Sequence, residues 1–581
     1  MGTKRAAADP TCQRSCRTKE RFRCRSTWLS AYFVLAMPGL ALAGPITWDT
    51  VVNNADLVPG TNRAFNSYNP PSVNTEALVT FRGRSRGAMG AGEPATGVFA
   101  RDMAVAGPVF NIAQRGDLVP PPNNTGATFT EFPAFSRIDR TSDMIATRGQ
   151  SQPVWQVIDP STGETVTKLG TSGIYATPGA GATTTAMSQL GGVSGFSQFQ
   201  VPNAATGGTD GVKFDQFPGA PSAFDGERIA FKGNYTLPDG TGATGVFYRD
   251  TLTGGGTAAV VSIAWSGQAI PAQPGAVFGS TAPPSAANGK IVFTGLDNED
   301  APTAGGIYEA KVGQPGIREL VRIGETVPGA VNASGTTLNR IGEALSFDGR
   351  KVAFWGAWGT ETRTVTLTCP AEGNAAVIQS CMDQSGGTGV TTREVPVHQG
   401  ILLNDVITGD LQLVAETGSE SIDYLFWTFS GRPPGVGGGD EGEGEDFEEP
   451  RWRSSAFIAS DAGRVAFKAV RSLDDPFALY LDLGTAFDPT LLLDATSFGE
   501  ALDPLAAGLP ITALGLERDG FRGNWLVINA SMASDEDSWA GVYIARVPVP
   551  EPSSLTLLAV AFAVVRLATR RRATARGALR P

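Results

Sequence analysis

The chain has 581 residues, among them 72 glycines and 39 prolines, with 41% hydrophobic and 8% aromatic side chains. So many turn formers argue against a helical protein, while the apolar content suits packed strands and is too high for a disordered chain. Basic residues gather at the two ends: without residues 1–43 and 553–581 the body keeps 32 Lys and Arg against 55 Asp and Glu, a net charge near −23, which repels phosphate backbones and excludes nucleic acid as a partner.

At the N-terminus, "MGTKRAAADPTCQRSCRTKERFRCRS" places basic residues ahead of the apolar "TWLSAYFVLAMPGLALA", and Ala41-Leu42-Ala43 then supplies small side chains. This is the layout of an export signal, cut by signal peptidase between Ala43 and Gly44. A membrane anchor fits less well, because the apolar run falls short of the ~20 residues of a span and contains Met37-Pro38-Gly39. Cys12, Cys16 and Cys24 would leave with the signal. Cys369 and Cys381 would remain as an even pair in an oxidising compartment, where a disulfide is expected. One isolated pair lacks the further Cys or His ligands of a zinc site.

The body, residues 44–547, repeats one phrase seven times: "ALVTFRG" from Ala77, "DMIATRG" from Asp143, "RIAFKGN" from Arg228, "KIVFTGL" from Lys290, "KVAFWGA" from Lys351, "RVAFKAV" from Arg464 and "NWLVINA" from Asn524. Each alternates as a strand does, with Val352 and Phe354 on one face and Lys351 and Ala353 on the other. Tight-turn residues precede several of them, as in "SFDGRKVAF" and "SAANGKIVF". A second strand-like phrase follows in each unit, from "TGVFARD" at Thr96 to "AGVYIAR" at Ala540. A third, such as "NIAQRGDLVP" from Asn111 or "LVRIGETVPG" from Leu320, adds a strand and a turn. A weak fourth strand is expected around connectors of the "APPSAANG" type.

Unequal spacing between the first phrases signals insertions, chiefly around 358–398 and 431–453. No independent helical domain is expected. Seven small antiparallel sheets predict an all-β protein and a seven-bladed β-propeller; a β-sandwich array or a β-helix is the alternative. The phrase "SFDGRKVAF" resembles the repeats of TolB-like propellers, which supports the same fold. "VVNNADLVPG", from Val51, matches the third phrase with no first or second before it, and the last unit stops after its second phrase. The N-terminal strand is therefore expected to complete the last sheet and close the ring.

Candidate chemistry is sparse. His398 is the single histidine and reads as a structural loop residue; without a G-x-S-x-G elbow, a Ser-His-Asp site has no support, and multi-histidine metal sites are excluded. Asp348 and Asp461 read as turn residues. The stretch "DEGEGEDFEE", Asp440 to Glu449, lacks the spaced ligands of a calcium loop and reads as a solvated acidic segment. Trp265, Trp355 and Trp358 have the chemistry to stack on sugars but fit buried blade faces better. No catalytic, cofactor-binding or metal-ligating residue is assigned. Paired carboxylates converging in a propeller channel stay open as a hydrolase or lyase site.

The chain closes with Pro550-Glu551-Pro552, an apolar segment from Leu555 to Val565, Arg566, and then Arg570-Arg571-Arg572. Residues 548–581 thus resemble the PEP-CTERM sorting signal of exported bacterial proteins. The resemblance implies a short membrane segment oriented by its cytoplasmic arginines, an exosortase as processing partner, and delivery to the cell surface or an extracellular polysaccharide matrix. An uncut membrane anchor is the alternative. The body is then expected to be a non-catalytic binding or structural module for polysaccharide or surface proteins, with an extracellular carbohydrate-active hydrolase or lyase as the competing reading.

Mass spectrometry of surface material should find a chain that begins at Gly44 and stops near the Pro-Glu-Pro motif. Replacing Arg570, Arg571 and Arg572 with neutral residues should weaken membrane retention. A chain intact through Pro581 would mark an anchor instead.

Overall fold

The computed structural model describes residues 46–548, apart from 88–93, 122–126, 152–154, 159–164, 169–170, 193, 253–256, 331–334, 372–374, 419, 433–447 and 486–487. The expected cleavage site at Ala43 and Gly44 and the expected sorting residues Pro550, Glu551, Pro552, Arg570, Arg571 and Arg572 lie outside the described residues, as does most of the acidic stretch from Asp440. Among the described residues no helix is long and apolar enough to cross a membrane.

Seven antiparallel sheets stand in a ring, a seven-bladed β-propeller. Blade 1 shows the plan. Strand a runs in two pieces, Phe65–Tyr68 and Ser72–Val73, both paired with strand b, Leu78–Ser85; strand c is Thr96–Asp102 and strand d is Phe110–Gln114. The first sequence phrase is strand b, the second strand c, the third strand d, and the weak fourth is the inner piece of strand a. These inner pieces touch their neighbours all the way round: Ser72–Val73, Arg137–Ile138, Ser222–Phe224, Ser285–Ala287, Ser346–Phe347, Ile458–Asp461 and Phe521–Arg522. They wall the central channel.

The repeated Phe-x-Gly of strand b has a steric cause. In blade 3, Phe214 of strand a packs against Phe231 of strand b and Phe247 of strand c, with ring centroids 5.7 and 5.0 Å away. Phe65, Phe81 and Phe99 repeat the triad in blade 1, and Phe278, Phe293 and Tyr308 in blade 4. The strand a ring lies so close over strand b that a Cβ at Gly233 would fall 2.5 Å from Phe214. Only glycine leaves room there.

The residue before that position, which is alanine in blades 6 and 7 (Ala469 and Ala530), points the opposite way, because side chains alternate along a strand. It ties its blade to the next. Arg148 Nη1 donates to the Phe217 carbonyl at 2.6 Å, Thr294 Oγ1 to Gly342 at 2.9 Å, Lys468 Nζ to Leu514 at 2.6 Å and Asn529 Nδ2 to Tyr68 at 3.0 Å. Each acceptor lies at or beside the break in the next blade's strand a, where strand pairing is interrupted. Asp348 and Asp461 do occupy turns, and they also link blades. Asp348 Oδ1 accepts from the Lys351 amide and Oδ2 from Ala462 of the following blade at 2.7 Å, while Asp461 receives Arg140 from across the channel at 2.8 Å.

Closure joins the two ends of the body. Strand d of blade 7 is Trp48–Asn53, paired with strand c, Ser538–Arg546, from Trp48 opposite Ala545 to Asn53 opposite Gly541. It ends earlier than the phrase "VVNNADLVPG" suggests, because the Asn53 amide donates to Asp56 Oδ2 at 2.9 Å and starts a turn. A buried clasp holds the joint: Asp503 Oδ2 accepts from Asn53 Nδ2 at 2.8 Å, Trp539 Nε1 at 3.1 Å and the Tyr543 hydroxyl at 3.3 Å. Burial, reinforced by the Asp503 charge, pushes the Tyr543 phenol well above its ordinary range.

Arg137 fills the middle of the channel. Its guanidinium, fully buried, donates to Asp519 Oδ2 at 2.6 Å, the Pro284 carbonyl at 2.9 Å and Ser285 Oγ at 3.0 Å, joining blades 2, 7 and 4. Arg522 pairs with the same Asp519 and donates to Ser460 and Phe347 of blades 6 and 5. Burial alone would raise the Asp519 carboxyl, but Arg137 and Arg522 outweigh it and hold it below the usual carboxylate range.

Strand direction sorts the connections onto two faces. The a–b turns and c–d loops lie on one, the turn face; the b–c loops and the d–a links lie on the other, the mouth face. Every long excursion leaves by the mouth face. Blade 2 adds a hairpin, Trp155–Ile158 with Thr165–Lys168, which the sequence reading did not single out. In blade 5 the expected insertion at 358–398 is largely a continuation of strands b and c, Lys351–Thr368 and Val390–Asp405, tipped by a ten-residue helix, Ala375–Gln384, that was not anticipated. Cys369 and Cys381 are bonded at this tip, as expected. In blade 6 the hairpin Phe426–Arg432 with Glu448–Ser455 interrupts strand a itself, between the Asp423–Val470 bridge and Ile458–Asp461.

Deleting residues 47–60 should lower the melting temperature of the whole ring in one cooperative transition, because it opens two strand edges and removes the Asn53 contact to Asp503. An unchanged melting curve would contradict closure as a stability determinant. Arg137→Met should cost about 3–5 kcal/mol in chemical denaturation by leaving Asp519 buried with half its partners, and adding Asp519→Leu should recover part of that loss.

Candidate functional site

The break in strand a decides where the channel opens. Between its two pieces the chain bends away from strand b and lines the mouth: Pro70 and Pro71 in blade 1, Pro133 in blade 2, Pro218 in blade 3, Pro283 and Pro284 in blade 4, Glu343 in blade 5 and Glu517 and Arg518 in blade 7. Proline suits these positions, since it gives up a ladder hydrogen bond that the break has already removed.

Two regions of the mouth carry polar side chains. On the blade 4, 5 and 7 side, Glu343 lies close enough to Glu299, Lys232 and Arg518 for each to act on its charge. Glu343 is reached by solvent yet enclosed by protein on several sides, and this partial loss of bulk water raises its carboxyl above the ordinary range. Lys232 and Arg518 oppose the rise and Glu299 adds to it. Below them, burial pushes Glu517 up despite its contacts with Arg518 at 3.3 Å and Arg137 at 3.5 Å. Among the described residues no group of three or more His, Cys, Asp or Glu could hold a metal ion.

On the opposite side lies a cleft of about 260 Å³ between blades 2 and 3, lined by Pro133, Arg148, Gln150, Ser172, Gln189, Gln216, Phe217, Pro218, Ser430 and Gly431. Arg148 and Gln150 project from strand b of blade 2, one on either side of Gly149, and Ser172 faces them from strand c across the Ser172–Gln150 pair. Gln189 accepts from the Ser172 amide and donates to the Asp215 carbonyl, which fixes its side chain across the blade boundary. Ser430 and Gly431 come from the blade 6 hairpin, which therefore reaches over the mouth from the far side of the ring.

Ser172 is the informative residue. It is 6% exposed, and its hydroxyl has no hydrogen-bond partner among the described residues. A buried hydroxyl without a partner costs stability. Ser172 is also one of the residues that line the cleft. Among the described residues the lining presents a guanidinium, three side-chain amides and two hydroxyls beside the apolar Pro133, Phe217 and Pro218, and no carboxylate. Such a set recognises many closely spaced hydroxyls, or hydroxyls with one anionic group, rather than a cation or a lipid.

The residues singled out from sequence lie elsewhere. His398 is in strand c of blade 5 opposite Trp358, not in a loop, and its Nε2 is 3.6 Å from Glu361 Oε2. The loop expectation fails because strands b and c extend beyond the blade and keep pairing through the insertion. Trp358 and Trp355 are buried, 1% and 5% exposed, with Trp355 Nε1 donating to Gln399 at 3.0 Å; Trp265 is half-buried against the blade 2–3 core. None of the three offers an open stacking surface. Glu448 and Glu449, the end of the acidic stretch, enter the second strand of the blade 6 hairpin. Sequence reasoning missed Arg148, Ser172 and Ser430. The one available signal was the Arg-Gly of "DMIATRG", a long polar side chain beside an obligatory glycine.

No family model and no curated protein matches the chain. Among solved structures, Trypanosoma rangeli sialidase in complex with sialic acid aligns at 9% identity and a TM-score of 0.34, over 91% of this chain and 62% of its own. The periplasmic gluconolactonase of Pseudomonas aeruginosa aligns at 12% identity and 0.24, over 74% and 95%, and the Podospora anserina α-L-arabinofuranosidase at 6% and 0.19, over 57% and 90%. This chain thus spans less than two thirds of the sialidase, and similarity at this level assigns it no activity.

Proposed function

We propose that the protein is an exported, surface- or matrix-associated propeller that binds extracellular saccharide without chemical turnover, in the cleft between blades 2 and 3. The observation that carries this reading is the cleft's donor set: among the described residues its lining holds no carboxylate, and the buried Ser172 hydroxyl has no hydrogen-bond partner. Most glycoside hydrolases use two carboxyl groups flanking the bond. The volume, just below the ~300–1,000 Å³ of drug-sized sites, suits one sugar ring of a longer chain.

Topology supports a surface role. Strand c of blade 7 ends, and Trp48–Asn53 begins, on the turn face. A tail continuing from Val547, of the kind the PEP-CTERM resemblance implies, would leave from that face and turn the cleft outward. The net negative charge of the body favours solubility near other surface components, and among the described lining residues Arg148 is the one charged group.

The second reading, a carbohydrate-active hydrolase or lyase, rests on the neighbouring carboxyls Glu299 and Glu343 beside Arg518. A glycan array followed by calorimetry on the purified body separates the two. Ser172→Ala should weaken saccharide binding by about 0.5–1.5 kcal/mol, roughly 2- to 13-fold, and leave the melting temperature unchanged or higher, because it removes an unsatisfied hydroxyl. Turnover of a bound glycan that is abolished by Glu343→Gln or Glu299→Gln would replace the binding reading with the hydrolase one.

A further inference from the structure

The blade 6 hairpin is held at two levels. Its root is pinned from below: Lys468 Nζ lies 4.3 Å from the Phe426 ring centroid and 4.5 Å from that of Phe457, the two residues that bracket the excursion, and Phe426 and Phe457 pack edge to face at 5.5 Å. Burial lowers the Lys468 amine to about 8 from its usual 10.5, while the two rings and the Leu514 carbonyl favour the charge. From blade 5, Arg363 donates to the Ile422 carbonyl at 3.1 Å and pairs with Asp423, just before the hairpin. The root therefore has its own supports.

The upper part does not share them. The helix Ala375–Gln384 packs against both hairpin strands, and Gln384 Nε2 donates to the Pro450 carbonyl at 2.6 Å. That helix stands at the end of an 18-residue strand that has left its blade. Two features hold it: the Cys369–Cys381 bond, with Cys381 1% exposed, and the return through Gly389, whose carbonyl accepts from the Cys369 amide at 2.8 Å. Ser430 and Gly431, on the strand this helix supports, line the cleft opposite Arg148 and Gln150.

We propose that the blade 6 hairpin is the third wall of the saccharide cleft, and that the disulfide-closed helix of blade 5 sets its height, making Ser430 a specificity-determining residue and Cys369, Cys381 and Gln384 positioning residues. The inference rests on the saccharide reading for the identity of the ligand and stands on its own for the geometry. A wall made of a serine and a glycine leaves room for an extended, hydroxyl-bearing chain to pass between hairpin and blades. A bulky residue there would exclude it.

The test compares the protein with a Cys369→Ser, Cys381→Ser variant. Spin labels placed through Gln150→Cys and Ser430→Cys should give one narrow distance distribution when the disulfide is present and a broadened one when it is removed, with the ring's melting temperature shifted by only a few degrees. Identical distributions would overturn the positioning role. In the unlabelled pair, cellotetraose and tetragalacturonate serve as neutral and acidic probes. Whichever binds should bind 5- to 10-fold more weakly without the disulfide, and Ser430→Trp should abolish binding while Ser172→Ala only weakens it. Equal affinity in the two proteins, or full binding by Ser430→Trp, would overturn the third wall. If neither probe binds the unaltered protein, the saccharide reading loses support, and the label distances alone decide the geometry.

Discussion

Closing the ring is the constraint on which the rest depends. A blade is a small sheet with two exposed faces and two edges, and none of the seven could bury enough apolar surface alone. Each gains its core only by packing against neighbours on both sides, as the apolar clusters that run from blade 2 into blade 3 and from blade 6 into blade 7 show. A missing blade would leave two of these interfaces open. The Trp48–Asn53 strand therefore does more than complete a sheet: through Asp503 it converts an open array into a circle in which no interface is terminal.

A closed ring of seven tapered sheets crowds its axis, and the divided strand a is the response. The inner piece continues the sheet along the channel, and the break lets the chain bend outward at the mouth. The bend interrupts the ladder and leaves backbone groups needing partners. Side chains of the preceding blade supply several of them: Arg148, Thr294, Lys468 and Asn529 each donate across the boundary. The position that stitches blades together is thus also the one that places a polar head at the mouth. Stability and ligand contact draw on the same register, which is why the proposed cleft lies on a blade boundary.

The charged centre limits what the channel can do. Arg137, Asp519 and Arg522 are buried and mutually satisfied, and removing one of them leaves a buried charge short of partners. The axis is a structural plug, and chemistry is left to the mouth, where Glu343 and Glu299 meet on one side and the amide-lined cleft opens on the other. The excursions from blades 5 and 6 rise over that same mouth. A ring built of near-identical units becomes asymmetric only there.

The amino-acid sequence by itself determined the repeat and the closure. Alternation in phrases such as "RIAFKGN" reports a strand wherever it occurs, the Asp-Gly turns report hairpins, and a third phrase missing at one end and present at the other reports the joint. The Cys369–Cys381 pair was legible because only two cysteines follow residue 43. These signals are local, or copied from unit to unit, so they survive without knowledge of the packing. The cleft carries no such signal. Arg148, Ser172, Gln216 and Ser430 are far apart in the chain and belong to three blades. They meet because strand a breaks at the mouth and because one of those breaks, in blade 6, extrudes a hairpin across the opening. His398 shows the same limit from the other side: "REVPVHQG" looks like a loop from its residues, and only the pairing of two overlong strands made it part of a sheet. Where side chains from separate blades converge is set by ring closure and crowding at the axis, and no stretch of sequence records it.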